Sequence, residues 1–397
     1  MRIAIITTDT RENIRAALRG SPPTLPGIGF APESLLQGFA RVPEAEVHVV
    51  SCLKAALPSP ERIAPNIFYH GVTVPQIGWL RTLYQGCIRG IRKKLQEIRP
   101  DIVHGQGTER YCAISAVFSG FPNVITIHGN MKAIAEVYRA RIGSFHWLAA
   151  RLETFTLRRT GGVFCNSAYT ESQVASRTTR TWRVANALRQ DFFSPMPPPK
   201  KTVAPVILNI GSVLPYKRQV ELLDLAHRLH QRGLQLEWQF AGSLDGTTAY
   251  QAAFAQALAV GEKAGYARYI GNLSASQLVA VMDAAAALVH FPSEEAFGLV
   301  VAEALARNLK FFGAATGGMV DIAAGVDGAE LIPAQDFGRL EAAIAGWQQA
   351  GCPQPRNAAQ CMRERYHPEV IARQHLEIYR EVFLQRTKNF IVSEVSR

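Results

Sequence analysis

Glu295 and Glu303 bracket a run that is otherwise apolar or small from Ala296 to Ala306. The residues Leu299, Val300, Val301, Ala302, Ala304 and Leu305 make that run read as a helix buried on most faces. A carboxylate in such a setting needs a specific partner, because desolvating an unpaired charge is costly. Glu295 stands just ahead of the helix, after the apolar run Ala284–His290 and the turn residues Pro292 and Ser293. There it lies beside backbone N–H groups whose dipoles favour anions and oxygen-rich ligands. The plainer alternative is a solvated loop acid followed by an acid facing water from a surface helix.

Cations supply the complementary chemistry. Val206–Ile210 reads as a strand running into Gly211, followed by Ser212, Lys217, Arg218 and a helix pattern through Leu222, Leu223, Leu225 and Leu229. A strand, a glycine turn, cations and a helix start together suit a diphosphate. Lys217 is otherwise a solvated turn lysine. Gly27 and Gly29 allow close approach to a ligand or simply make a tight turn, and Gly317–Gly318 ahead of Asp321 present the same pair of alternatives. His104 and His128 each end a strand-like piece at a glycine, the C-terminal edge at which parallel α/β sheets bind ligands.

The elements that must position these residues alternate strand and helix, the pattern of parallel α/β layers. Strands are expected at 2–8, 47–51, 101–105, 124–128, 162–165, 206–210, 237–241, 267–270, 284–290 and 310–313, with a first helix near Ser34–Ala40. Residues 79–98 form a basic amphipathic segment with apolar Leu80, Leu83, Tyr84, Cys87, Ile88, Ile91, Leu95 and Ile98 at helical spacing. It either lies on an anionic membrane or packs its apolar stripe on the sheet. The Pro-rich stretch Pro195–Pro205 is the strongest linker signal and is expected to end the first domain.

The Glu-x7-Glu spacing with Phe297-Gly298 after the first acid resembles the donor-site motif of retaining family-4 glycosyltransferases, the group 1 glycosyltransferases. The resemblance spreads from about Pro26 to Tyr379 and is sharpest between Gly211 and Asp321. It implies an α/β chain of GT-B fold: two Rossmann-like doubly wound domains facing a cleft, with the closing helix crossing back to the first. The expected divisions are 1–198 for acceptor binding, 199–365 for the nucleotide sugar, and 366–397 for the returning helix and tail. By the same resemblance Glu295 and the N–H groups of Ala296, Phe297 and Gly298 hold hydroxyls of the donor sugar, and Glu303 holds the ribose. Lys217 faces the diphosphate, the segment Arg268–Asn272 around Gly271 approaches the base, and His128 reaches the sugar near its reacting carbon. His128, Lys217 and Glu295 are thus the expected catalytic set.

Three places depart from the family pattern. Ser212 stands where an arginine usually follows the glycine, with Arg218 an extra cation nearby. Ala187 replaces the glycine of Asn-Gly, and Asp321 is the shorter acid after the glycine pair. The missing arginine bears on chemistry, because cations that meet charge developing on a departing nucleoside diphosphate stabilise the transition state more than the ground state.

Composition narrows the partners. The 397 residues carry a net charge of +11. Residues 1–200 hold 25 Lys and Arg against 13 Asp and Glu, whereas residues 201–397 hold 18 against 19, so the whole excess lies in the first half. That favours an anionic partner such as a membrane surface, a lipid-linked glycan or an acidic glycan. Aromatics do not alternate with the basic residues, which argues against nucleic acid. No apolar run approaches the ~18 residues of a membrane span, and the start reads as a strand instead of a secretory signal, so a cytoplasmic protein is expected. The six cysteines lack metal spacing and are expected to be reduced and buried. No Gly-x-Gly-x-x-Gly follows the first strand, which disfavours an NAD oxidoreductase.

The resulting expectation is a retaining, metal-independent transferase with a nucleotide diphosphate sugar as co-substrate, no cofactor, and a glycan or lipid-linked acceptor. A non-catalytic sugar-nucleotide or glycan-binding protein on the same fold is the alternative that Ser212 and Ala187 keep open.

Overall fold

The computed structural model describes residues 1–19, 31–56, 59–75, 79–197 and 204–395. The chain forms two compact units. Unit 1 takes Met1–Arg19, Ala31–Ala187 and the closing segment from Pro368, and unit 2 contains Leu188–His367.

Unit 1 is built on an eight-stranded sheet. Its strands are β1 (Arg2–Ile6), β2 (Glu46–Leu53), β3 (Glu61–Ala64), β4 (Ile67–Thr73), β5 (Ile102–Gln106), β6 (Asn123–Ile127), β7 (Val163–Cys165) and β8 (Thr181–Arg183). They lie in the order β3-β4-β2-β1-β5-β6-β7-β8, parallel except for the antiparallel pair β3–β4. Both faces are covered, so the central strands are buried along most of their length, and the polar residues they carry, such as His104 and Gln106 of β5, are buried with them. Ile3 and Ile5 enter one core cluster while Ala4 and Ile6 enter the other, as the two-residue period of a strand requires.

The segment at 79–98 resolves into the helix Gln85–Ile98. Its Cys87, Ile88, Ile91, Leu95 and Ile98 are buried in the sheet's core, so the packing alternative holds and this stripe is not available to a membrane.

The closing helix runs over Pro368–Val395, nearly the whole of the division 366–397 expected to hold a helix and a tail. It starts on proline, whose fixed φ and missing N–H suit a first helical position. Ile371, Ala372, Leu376, Tyr379 and Val382 complete the core of unit 1 together with Leu35, Leu36 and Phe39 of the helix Ala31–Phe39. Gly38 makes this contact possible, since a Cβ there would sit 2.0 Å from the Pro368 carbonyl oxygen.

Unit 2 carries β9 (Val206–Ile210), β10 (Glu237–Ala241), β11 (Ala267–Tyr269), β12 (Ala287–His290), β13 (Lys310–Ala314) and β14 (Ala329–Ile332). Their order is β11-β10-β9-β12-β13-β14, with every pair parallel. The order reverses between β9 and β12, the switch point outside whose strand ends open sheets bind ligands.

The contact boundary falls at Ala187–Leu188, ahead of the Pro-rich stretch. Arg307 explains it. Its guanidinium binds Asp283 through Nε at 2.7 Å and Nη2 at 2.9 Å, and donates to the carbonyls of Ser194 at 2.6 Å and Phe192 at 3.3 Å. Arg363 adds a bond to the Phe193 carbonyl at 2.6 Å. Residues 192–194 are therefore fastened to unit 2 before the prolines begin.

All six cysteines are free, but only Cys52, Cys87, Cys112 and Cys165 are buried. Cys352, just after the helix Phe337–Gln349, and Cys361, in the helix Ala358–Tyr366, are half-buried, contrary to expectation. Among the described residues no helix is long and apolar enough to cross a membrane.

Candidate functional site

The loops leaving β9 and β12 emerge on either side of the switch point in unit 2. After β9, Gly211 turns the chain and Pro215–Lys217 forms a single helical turn. Arg218 then adopts a left-handed conformation and caps the helix Gln219–Gln231. After β12, Phe291 is buried, and Gly298, with φ of 96°, caps the helix Leu299–Ala306. Ser293 ties the two loops together, its N–H donating to the Tyr216 carbonyl at 2.8 Å.

Lys217 and Glu295 meet between these loops. Lys217 Nζ lies 2.5 Å from Glu295 Oε2, and the two side chains are only 15% and 16% exposed. His290 Nε2 approaches the same oxygen at 3.0 Å. Burial is the largest single influence on Glu295 and would raise its pKa. The His290 hydrogen bond, the Lys217 charge and the contacts between them outweigh it and hold the carboxyl at about 2. His290 is pushed the opposite way from protonation, by burial first and by the Lys217 charge second, so its pKa is lowered. The result is a carboxylate that stays ionised with one cation and one neutral imidazole on the same oxygen.

The glycine pair Gly317–Gly318, for which the sequence allowed either a ligand approach or a plain turn, packs against the loop of Glu295. Gly318 N–H donates to the Glu295 carbonyl at 3.1 Å. A Cβ on Gly317 would fall 1.6 Å from that same oxygen, and one on Gly318 would fall 2.6 Å from Phe297 Cα. The two glycines thus let the turn after β13 press against the acid's own loop and fix its backbone.

The other strand ends of unit 2 run side by side. Gly211 N–H donates to the Ala241 carbonyl at 2.8 Å, and Gly242 N–H to the Gly271 carbonyl at 3.0 Å. Ser212 is exposed, accepts from the Ser243 hydroxyl at 2.7 Å, and has its carbonyl held by Gln219 Nε2 at 2.9 Å. Arg218 does not occupy the place left by Ser212. Its guanidinium donates to the Ala334 carbonyl and to Gln335 Oε1, the latter at 3.2 Å, beyond the end of β14.

Glu303 lies half-buried one helical turn into Leu299–Ala306. Burial raises its pKa to about 7, against the lowering effect of Arg189 and with a further rise from Asp191. Arg189, itself buried, sits 3.7 Å from Asp191 through Nε. Glu303 is thus a carboxyl group poised between its two protonation states, with the positive charge of the buried Arg189 favouring the ionised one.

His128 belongs to unit 1, directly after β6. Its Nε2 lies 2.9 Å from Gln106 Oε1, and Gln106 Nε2 in turn reaches the His104 ring at 3.3 Å. His104 is bonded to Thr126 Oγ1 at 2.7 Å and to the Tyr379 hydroxyl of the closing helix. Burial lowers the pKa of His128 to about 4 and that of His104 well below its ordinary value, so both rings are neutral near pH 7. With Gln106 accepting, the proton of His128 sits on Nε2.

The structure therefore brings Lys217 and Glu295 together, adds His290, and places Glu303 beside Arg189. Gly211, Ser212 and Gly271 line the same strand ends, and Ala296, Phe297 and Gly298 form the acid's turn. Gly27 and Gly29 lie outside the described residues. His290 and Arg189 were not singled out from sequence. His290 ends β12 much as His128 follows β6, but Phe291 stands after it instead of a glycine, so the signal that marked His104 and His128 passed it over.

Comparison with known proteins gives this geometry a family. Residues 33–185 match the model of Glycosyltransferase Family 4, and residues 193–359 match that of Glycosyl transferases group 1. No curated protein sequence matches the chain. Among solved structures, sucrose-phosphate synthase from Thermosynechococcus elongatus is similar at TM-score 0.75 and 16% identity, covering 97% of this chain and 100% of that one. HepE of Anabaena, solved in complex with UDP-glucose, is similar at TM-score 0.66 and 16% identity over 96% of this chain and 100% of that one. The lipopolysaccharide outer core galactosyltransferase WaaB is similar at TM-score 0.65 and 14% identity, again over 96% and 100%. At these identities the likeness is one of fold.

Proposed function

Because the chain belongs to the group 1 glycosyltransferases of family 4 and has the GT-B fold, we propose that it moves a hexosyl group, with retention, from a nucleoside diphosphate sugar to a glycan or lipid-linked acceptor. The observation that carries this reading is the Lys217–Glu295–His290 cluster at the switch point of unit 2. A diphosphate laid over the Gly211 turn meets the start of the helix Gln219–Gln231 and the Lys217 ammonium. An ammonium has three donors, so Lys217 can keep Glu295 and still bind a phosphate oxygen. As the sugar leaves, negative charge grows on that phosphate, and Lys217 stabilises it most when the bond is broken.

Glu295, kept ionised, accepts from sugar hydroxyls and orients the ring, while the acceptor attacks from the face the diphosphate leaves. Glu303 accepts from the ribose hydroxyls in its ionised form. His128, neutral, offers the donor sugar its free Nδ1 lone pair. Lys217 supplies the positive charge in a reaction that needs no resident metal or other cofactor. The UDP-glucose bound by HepE supports a nucleoside diphosphate sugar as donor. The basic first half supports a cytoplasmic enzyme of polysaccharide or cell-envelope assembly that touches an anionic membrane from the side.

A thermal-shift panel of UDP-, GDP- and ADP-sugars identifies the base, since a bound ligand raises apparent stability by mass action. The stabilising donor is then followed for slow release of free sugar. Release supports transfer chemistry. Stabilisation without any release supports the binding-only alternative, which the exposed Ser212 at the arginine position favours.

A further inference from the structure

The basic excess of unit 1 needs an apolar companion if it is to hold a membrane, and Gln85–Ile98 has spent its apolar face on the sheet. A different element offers one. The helices Met131–Val137 and Phe145–Leu157 follow β6 as a helical hairpin. Within eight positions at its tip Tyr138 is 64%, Ile142 85% and Phe145 46% exposed. Exposed single apolar residues are ordinary, but three together at one tip are not.

Charge frames this tip. Arg139 and Arg141 alternate with the apolar residues and are exposed, and Lys132 and Arg151 flank the shallow groove between the helices. The only acid lining that groove is Glu136, 3.9 Å from Lys132. Aromatic rings cluster beside it: His146 stacks on Tyr138 at 5.0 Å, and Arg151 lies over Trp147 at 4.9 Å. Apolar tip, aromatic collar and surrounding guanidinium groups are the chemistry of an anionic lipid surface, in which acyl chains meet the tip and phosphates meet the arginines.

The base of the hairpin is rigid. Glu153 is fully buried and accepts from Arg177 Nη1 at 2.8 Å, Thr108 Oγ1 at 2.8 Å and Met131 N–H at 2.9 Å. That carboxylate clamps both helices to the end of β5. We infer that the Tyr138–Phe145 tip with Arg139 and Arg141 is the surface by which unit 1 docks on an anionic membrane. It deepens the reading of a peripheral enzyme and holds whether or not the transfer chemistry does. Because the hairpin begins directly after His128, docking brings that strand end to the lipid surface.

Flotation of the purified full chain with vesicles tests this. Phosphatidylcholine vesicles are compared with vesicles in which about a third of the lipid is phosphatidylglycerol. The wild type is expected to float with the anionic vesicles alone. Ile142→Ser with Phe145→Ser should lower the bound fraction by about tenfold or more, and Arg139→Ala with Arg141→Ala should lower it and flatten its salt dependence. All four positions are exposed, so unchanged melting and unchanged thermal shift with the nucleotide sugar confirm intact folding. Wild-type levels of flotation for both double variants would overturn the hairpin assignment while leaving membrane contact standing. Absence of wild-type flotation would remove both, and so would a tip whose variants only turn a dimer into a monomer. Sugar release from the soluble donor reads the transfer reaction separately in each case.

Discussion

The two units treat the residues at their strand ends in opposite ways. Unit 2 keeps a carboxylate ionised behind β12 by giving it Lys217 and a neutral His290. Unit 1 keeps His128 neutral behind β6 by burying it, in a chain of uncharged partners that runs through Gln106, His104, Thr126 and Tyr379. The same parallel architecture therefore presents one charged edge and one dipolar edge. Charge suits a ligand on which charge develops, and neutral hydrogen bonding suits hydroxyls, whose recognition needs directed donors and acceptors without a strong field.

The comparison breaks most visibly at Lys217. Lys217→Ala should lower turnover by about 10²–10³-fold, the usual loss for one group that meets developing charge. Nucleotide affinity, read by thermal shift, should fall far less. Equal losses in both would make the lysine a binding residue only.

A smaller effect is expected at Glu303. With a carboxyl pKa of about 7, it gains acceptor strength as pH rises through neutrality. Glu303→Ala should weaken nucleoside diphosphate binding by roughly tenfold. Binding to the wild type should tighten between about pH 6 and about pH 8 more than it does in Glu303→Gln. A pH profile identical in the two proteins would detach Glu303 from the ribose.

Acid unfolding separates the two edges. The His128 pKa is lowered from 6.5 to about 4, so the unfolded chain binds the proton more readily than the folded one between those values. Its contribution is therefore present above pH 6.5 and fades as pH falls towards 4. Glu295 is lowered from 4.5 to about 2, so its contribution is present above 4.5 and fades lower down. Urea midpoints measured against pH should lose part of the upper slope in His128→Asn and part of the lower slope in Glu295→Gln. His375 and His70, also lowered to about 4, and His104 and His290, also lowered, retain the remainder of the upper slope.

Arg218→Ala should have the smallest effect, a change in turnover within a few-fold and a stability loss of about 1 kcal/mol or less. Its guanidinium already serves Ala334 and Gln335. A loss comparable with that of Lys217→Ala would show that Arg218 leaves those partners to replace the arginine missing at Ser212.

Much of this was legible in the chain because central parallel strands are short, mostly apolar stretches ended by glycine, as at Val206–Gly211 and Glu237–Gly242. Three edge strands were not. β3, β8 and β14 are only three or four residues long, too short for a two-residue period to mark them. Glu295 and Lys217 were visible as residue types, but their pairing spans 78 positions and depends on the strand order. Gly317 and Gly318 were open in the chain to a phosphate approach or a plain turn, because a sequence does not show what presses against a glycine. Here it is the loop they hold in place.

The closing helix has a consequence in time as well as in space. Most of unit 1 precedes unit 2 in the chain, yet the helix that seals its core against Leu36 and Phe39 leaves the ribosome only after all of Leu188–His367. Domains fold as units while synthesis continues, so unit 2 can reach its native state first. The earlier half must wait with an apolar seam uncovered. A nascent chain halted before Pro368 would therefore bind a holdase chaperone through that seam, and release would coincide with emergence of Ile371 and Leu376.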